Sequence, residues 1–331
     1  MANVIKKILL ILLPLICMLV IYLAFDPFEV MYSYKTSYND PRISYNWDVN
    51  QTNTLIRNYG SFHYDSFIFG NSRSKSFLTS DWKGHIRAKN VLHYAALAET
   101  LYGVNKKIRF MESRKIHMEN CLLVFDTSLL AGIMNSTGHL FIKHLAISGE
   151  SPADFHLTFF RAFIDPAFLF PYLDYKINGR LRPIFKKKFV TDEMCFDPVA
   201  GDLILVGRDR LLRENETKYY ADSAAIFYPR DITVKKYSPP VIKEAQLRML
   251  LEIKQIFAAH KTNYKVIITP NYDMNYLDRR DMERLREIFG DNNVYDYAGI
   301  NKYTRDIHNY YESSHFRPFV GRLILDEIYS R

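Results

Sequence analysis

Cysteine is scarce in this chain, with three among 331 residues. Cys17 falls inside an apolar run, Cys121 in a short apolar segment, and Cys195 has no obvious partner, so no disulfide framework is expected. Small extracytoplasmic domains lean on such cross-links, but a chain of this length can bury a sizeable core without them. Metal-ligand spacing is missing as well. The ten histidines fall on no ligand pattern, and His139 and His144, five apart, do not share a helix face. Neither a metal nor a cofactor is expected. Excess charge is mild: the formal +8 is partly local, from Lys176, Arg180, Arg182, Lys186, Lys187 and Lys188. That stretch reads as a solvated basic face in preference to a contact for lipid head groups or an acidic glycan.

A peptidase site is also absent near the N-terminus. Ile8–Phe25, ILLILLPLICMLVIYLAF, is a continuous apolar run of 18 residues preceded by Lys6 and Lys7. Its length is near the lower limit for spanning a bilayer core. No Ala-x-Ala sequence follows it, and Cys17 has no small residue beside it. An uncleaved anchor is therefore favoured over a cleaved signal peptide. The flanking lysines predict a cytoplasmic N-terminus and a main domain outside the membrane. Nucleic acid is not an expected partner for a domain placed there.

Beyond the anchor (1–25), residues 26–60 read as a polar, tyrosine-rich stem closing with a helix near Thr52–Tyr59. From residue 61 to 331 apolar strands alternate with helical patterns. Strands are expected at Ser66–Phe69, Val91–Tyr94, Cys121–Phe125, Tyr264–Thr269 and Val294–Tyr295. Cys121–Phe125 and Tyr264–Thr269 are the continuous apolar kind that is buried on both faces. Helices are expected over Glu99–His117, Val241–His260, Asp278–Phe289 and Pro318–Tyr329, with Ala245, Met249, Ile253 and Phe257 forming an apolar stripe. The pattern predicts an α/β fold with a doubly wound, mostly parallel five-stranded sheet. Leu130–Lys236 is far longer than one crossover requires and reads as a large helical insertion, rich in Phe and Tyr, at the active-site edge. Those aromatics are expected to fill the insertion's own core in preference to stacking on sugar rings. Deleting it is expected to leave the chemistry of the core intact.

Two short segments carry the chemistry. Phe67-Ile68-Phe69-Gly70-Asn71-Ser72-Arg73 is a strand running into a tight turn whose first reachable nucleophile is Ser72. Glu312-Ser313-Ser314-His315 places a carboxylate three residues before a histidine. A serine hydroxyl needs a base in contact, and the base needs an acceptor to hold its tautomer. Ligands of parallel sheets bind beyond the carboxyl ends of the strands, where both segments fall. Arg73 reads as a partner for a carboxylate in preference to an anionic or glycan group, and Asn271 and Tyr272 follow the fourth strand, where they would line the pocket.

This arrangement resembles the SGNH/GDSL hydrolase superfamily, and most of all its membrane-anchored members linked to O-acylation of bacterial surface polysaccharides. The resemblance covers about residues 61–331 and implies an SGNH/flavodoxin-like sheet. It implies Ser72 as nucleophile and oxyanion donor, His315 as general base, and Glu312 where the family usually has Asp. The family's Gly-Asp-Ser block is matched by Gly70-Asn71-Ser72. Its further oxyanion donors, a glycine after the second strand and an asparagine after the third, are replaced here by Ala98 and by Thr127 in Asp126-Thr127-Ser128. The implied activity is that of a serine esterase or O-acyltransferase adding or removing acyl groups, acetyl foremost, on a surface glycan. A membrane-bound O-acyltransferase is the implied partner. The alternative is a catalytically inactive glycan-binding or assembly protein that kept the fold and lost the oxyanion hole.

Overall fold

The computed structural model describes residues 2–36, 38, 40, 43–180, 182 and 194–330, with side chains from Leu12 onward. Lys186, Lys187 and Lys188 of the basic stretch lie outside the described residues. The five expected strands all form: β1 (Ser66–Gly70), β2 (Val91–His93), β3 (Asn120–Phe125), β4 (Asn263–Ile268) and β5 (Val294–Asp296). They make one sheet in the order β2-β1-β3-β4-β5, with every neighbouring pair parallel.

Alternation along each strand divides the core into two layers, because successive side chains point to opposite faces. Phe67, Phe69, Cys121, Leu123, Phe125, Val266 and Ile268 face one layer. It is covered by α3 (Leu101–Ser113), α7 (Glu244–His260) and α8 (Arg279–Phe289). Ile68, Leu122, Val124 and Ile267 face the other, beneath α9 (Pro318–Tyr329) and the rings of Phe77, Trp82 and Phe316. Burial on both faces explains why these strands read as unbroken apolar runs. The expected stripe of α7 does face the core: Ile253 and Phe257 are buried and Met249 packs against the same layer, with Gln246 and Leu250 buried beside them.

The segment read as a stem is part of the body. Its helix α2 is longer than expected, Trp47–Phe62, and Trp47, Asp48, Val49, Asn50, Gln51, Thr52, Thr54 and Leu55 are all buried. Before it, α1 (Ala2–Phe25) is a 24-residue helix with Pro14 inside. Among the described residues no helix is long and apolar enough to cross a membrane, so the structure does not support the expected transmembrane helix. Side chains from Ile8 to Ile11 lie outside the described residues. The whole of α1 rises about 36 Å at 1.5 Å per residue, and its apolar run Ile8–Phe25 about 27 Å. Leu12, Leu13, Leu15, Ile16, Leu19, Val20 and Leu23 are exposed on it, whereas Tyr22 is buried against Phe160 and Phe163.

The insertion contains α4 (Pro152–Ile164), α5 (Pro166–Asn178), a short antiparallel pair (Cys195–Phe196 with Leu203–Ile204) and α6 (Val206–Asp222). Its aromatics fill a satellite core that is shared with the N-terminal segment and is not the insertion's own. Phe155, Phe159, Phe163, Tyr172 and Tyr175 pack with Tyr22, Phe28, Ile43 and Tyr45.

Candidate active site

β1 ends at Gly70, and the chain turns directly into a 3-10 helix, Ser72–Ser76. Gly70 is required by close approach: a Cβ there would lie 2.8 Å from the Ser74 Cβ and 2.9 Å from the Val124 carbonyl oxygen. Asn71 caps the turn, its Oδ1 accepting from Arg73 N–H at 3.0 Å. Behind the turn α9 packs tightly because Gly321 has no side chain; a Cβ there would overlap the Ser76 carbonyl.

The acid and base arrive on a hairpin. Tyr310–Glu312 pairs antiparallel with His315–Phe316, setting Glu312 directly opposite His315 across Ser313-Ser314. Ser314 N–H donates to Glu312 Oε2 at 2.7 Å, and His315 Nδ1–H donates to Glu312 Oε1. Direct cross-strand pairing absorbs the extra methylene of Glu relative to Asp. Ser72 Oγ lies 2.8 Å from His315 Nε2 and donates to it. The hairpin is fastened to the nucleophile turn by Arg73 Nε donating to Ser314 O at 3.1 Å and by Ser76 Oγ donating to Phe316 O. Residues 243 positions apart thus form one continuous Ser–His–Glu series, the geometry that lets imidazole take a serine proton.

Electrostatics suit those roles. Burial pushes the Glu312 carboxyl up, but the His315 hydrogen bond, the Ser314 N–H and the nearby Arg208 outweigh it and bring it down to about 2. Glu312 is therefore an anion throughout the neutral range. Burial lowers the His315 pKa below its ordinary 6.5; Glu312 works against that, and the positive charges of Lys75 and Arg73 add to it. At neutral pH His315 is the free base.

The other expected site residues divide sharply. Arg73 binds a carboxylate, with its guanidinium 2.5 Å from Asp126 Oδ2. Asn71 Nδ2 donates to the same oxygen at 2.5 Å, so its amide is committed to the turn and does not face an incoming substrate. Thr127 is the first residue of a short helix, Thr127–Ala131, capped by Asp126, and no described hydrogen bond joins it to the triad. Ala98 is exposed with φ +46°, a left-handed conformation that favours glycine, which is what the family resemblance placed there. Asn271 closes its own turn through Asn275 N–H and C=O. Tyr272 is buried, with its hydroxyl on Tyr228 O and the Arg230 guanidinium 3.7 Å from its ring. The structure therefore gives Asn271 and Tyr272 scaffold contacts and not a place beside Ser72.

Four contributors were missed. Asp126 ties Arg73, Asn71 and the start of the short helix together; a carboxylate directly after an apolar strand and before a helix was the available signal. Arg208, from α6, lies 3.5 Å from Glu312 Oε1. Leu203 and Leu205 wall a narrow apolar recess that opens beside Ser72 and His315, with Leu78, Tyr311, Phe316 and Pro318. These insertion residues carry no motif. They count against the expectation that the core chemistry survives deletion of the insertion, because α6 also holds the base hairpin: Tyr219 and Tyr220 donate to the carbonyls of Tyr311 and Tyr310 at 2.6 and 2.8 Å. No protein-family model matches this chain, and no curated protein matches it significantly.

Proposed function

We propose that this protein is a serine esterase or O-acyltransferase of SGNH type, acting on ester-linked acyl groups. The observation that carries the reading is the Ser72–His315–Glu312 hydrogen-bonded series at the carboxyl edge of a parallel sheet. In this mechanism His315 Nε2 takes the Ser72 hydroxyl proton as Oγ bonds to the ester carbonyl carbon. The tetrahedral oxyanion that forms is met by the Ser72 N–H, which opens the 3-10 turn where first N–H groups have no partner inside the helix. The imidazolium, held by Glu312, passes its proton to the departing alkoxide and leaves an acyl-serine. A sugar hydroxyl or water then repeats the cycle in reverse. Acetyl as the foremost acyl group enters this reading through the family resemblance. The glycan acceptor and an O-acyltransferase partner belong to this reading through the family resemblance. A fluorophosphonate probe tests it: labelling confined to Ser72 supports the reading, and a folded protein that stays unlabelled refutes it.

The pH dependence follows from the lowered His315 pKa. Activity needs the neutral imidazole, so the acid limb of kcat/KM for p-nitrophenyl acetate is centred below the ordinary 6.5. Glu312→Gln removes the group that raises the His315 pKa, so the acid limb moves lower still while kcat drops by roughly 10³–10⁴-fold. An acid limb centred above pH 6.5 in the parent enzyme contradicts this account.

We place the catalytic domain outside the cytoplasmic membrane, tethered by the apolar run Ile8–Phe25. The full-length chain is then expected in the membrane pellet after alkaline carbonate. Recovery of a soluble form beginning between Ala24 and Tyr32 shows cleavage and removes the tether from the proposal.

A further inference from the structure

We propose that His93 and Asp202 are positioning residues for the nucleophile, acting through Ser74; this rests on the reading of Ser72 given above. The turn Ser72–Ser76 carries two Ser–His–acid series whose serines are two residues apart. The first opens on the recess. In the second, Ser74 Oγ lies 2.8 Å from His93 Nε2, and His93 Nδ1 lies 2.9 Å from Asp202 Oδ1. Ser74 and His93 are fully buried and Asp202 nearly so. No substrate reaches Ser74, so the second series is not a second catalytic centre.

What it does is hold a register. A carboxylate only accepts, so His93 Nδ1–H donates to Asp202, which turns Nε2 toward Ser74. Asp202 Oδ2 also accepts from Thr79 N–H at 3.1 Å and from Thr79 Oγ1–H at 2.7 Å. The pair therefore grips the segment at Ser74 and again at Thr79. Ser74 in turn lies at the centre of the nucleophile turn. Its Oγ is 2.7 Å from Asn71 O, its N–H donates to the same oxygen at 3.0 Å, and its carbonyl accepts from Phe77 N–H at 2.8 Å. Moving Ser74 moves Asn71 and Ser72 with it.

Asp202 is itself fixed by the sheet and by α2. His93 N–H donates to Ala200 O at 2.8 Å, and Gln51 Nε2 donates to Gly201 O at 2.5 Å. A polar series sealed in a core is costly unless every member is bonded, and once bonded it is directional where apolar packing is not. Its consequence is precision at Ser72, where about an ångström of misplacement costs on the order of 10²-fold in rate.

The test compares the parent full-length chain with Ser74→Ala, His93→Leu and His93→Gln. Two quantities are read: hydrogen exchange of the Ser74 and Phe77 amides, and kcat and KM for p-nitrophenyl acetate per folded molecule. Ser74→Ala and His93→Leu are expected to speed exchange in the turn by about tenfold while amides of β3 and β4 keep their protection. Their kcat is expected to fall by roughly 10- to 100-fold at unchanged KM. His93→Gln, whose amide can still bond Ser74, is expected to recover most of the loss. Parent-like exchange and kcat in Ser74→Ala overturn the proposal, as does a loss of protection spread evenly over the sheet with kcat per folded molecule intact. If the parent chain has no esterase activity, the nucleophile reading falls, and the exchange measurements still decide whether His93 and Asp202 hold the turn.

Discussion

Ser72→Ala and His315→Ala each remove turnover of p-nitrophenyl acetate, by about 10⁴-fold or more, while the chain stays folded. The two losses do not add: the double variant is expected to be no slower than either single one, because in the proposed mechanism Ser72 and His315 act in one proton transfer across the 2.8 Å contact between them. Folding is retained because Ser72 and His315 are each only half-buried and their partners differ from those of the core. Circular dichroism and denaturation midpoints provide the control. Parent-level activity in either variant removes these residues from the mechanism, whatever the hydrogen-bond geometry.

The second large effect is on stability. Lys107→Met is expected to destabilise the protein by about 3–5 kcal/mol. Lys107 Nζ lies 2.9 Å from Asp48 Oδ2 and 2.7 Å from Glu99 Oε2, while Lys143 Nζ lies 3.3 Å from Asp48 Oδ2 and 2.6 Å from Glu99 Oε1. All four side chains are essentially inaccessible. Burial pushes the Asp48 carboxyl up, and Lys107 and Lys143 outweigh it, holding it well below the usual carboxylate range. For Lys143 burial lowers the pKa, and Asp48 and Glu99 more than reverse it. Two cations and two anions balance, so deleting one cation leaves a carboxylate uncompensated in a medium that cannot solvate it. Adding Glu99→Gln to Lys107→Met restores neutrality and is expected to recover part of the loss, which a double-mutant cycle in urea reads directly. A single-variant cost below about 1 kcal/mol means that water or relaxation screens the site, and the account fails.

This charge cluster shows where sequence reading stops. Asp48 comes from α2, Glu99 from the loop after β2, Lys107 from α3 and Lys143 from the insertion. Each is an ordinary charged residue in its own neighbourhood. The His93–Asp202 pair is similar: 109 positions separate its members, and neither falls in a recognisable motif. Arg208 reaches Glu312 from more than a hundred positions away in the chain, again with no local mark. Asn271 and Tyr272 fail in the opposite way. They sit after a strand, where ligands often bind, but the chain turns there so that Asn271 satisfies its own loop and Tyr272 stacks under Arg230.

Local pattern and short-range chemistry determined the rest. Apolar runs marked β1, β3 and β4 because a strand buried on both faces has no polar alternation to obscure it. Pro318 opens α9 and Gly290 closes α8, because proline suits a first helical turn and a glycine without Cβ suits a helix end; Gly290 has φ +89°. Ser72, His315 and Glu312 were legible because a nucleophile after a strand, and an acid three residues before a histidine, are constraints within a few residues. Tertiary structure alone decided what surrounds them. The insertion walls the recess and braces the base hairpin, α2 is core and not stem, and a second, buried serine–histidine–acid series lies under the nucleophile turn. Those outcomes depend on contacts between distant segments whose free energies are set by burial and by the exclusion of water, and no short window of sequence contains either.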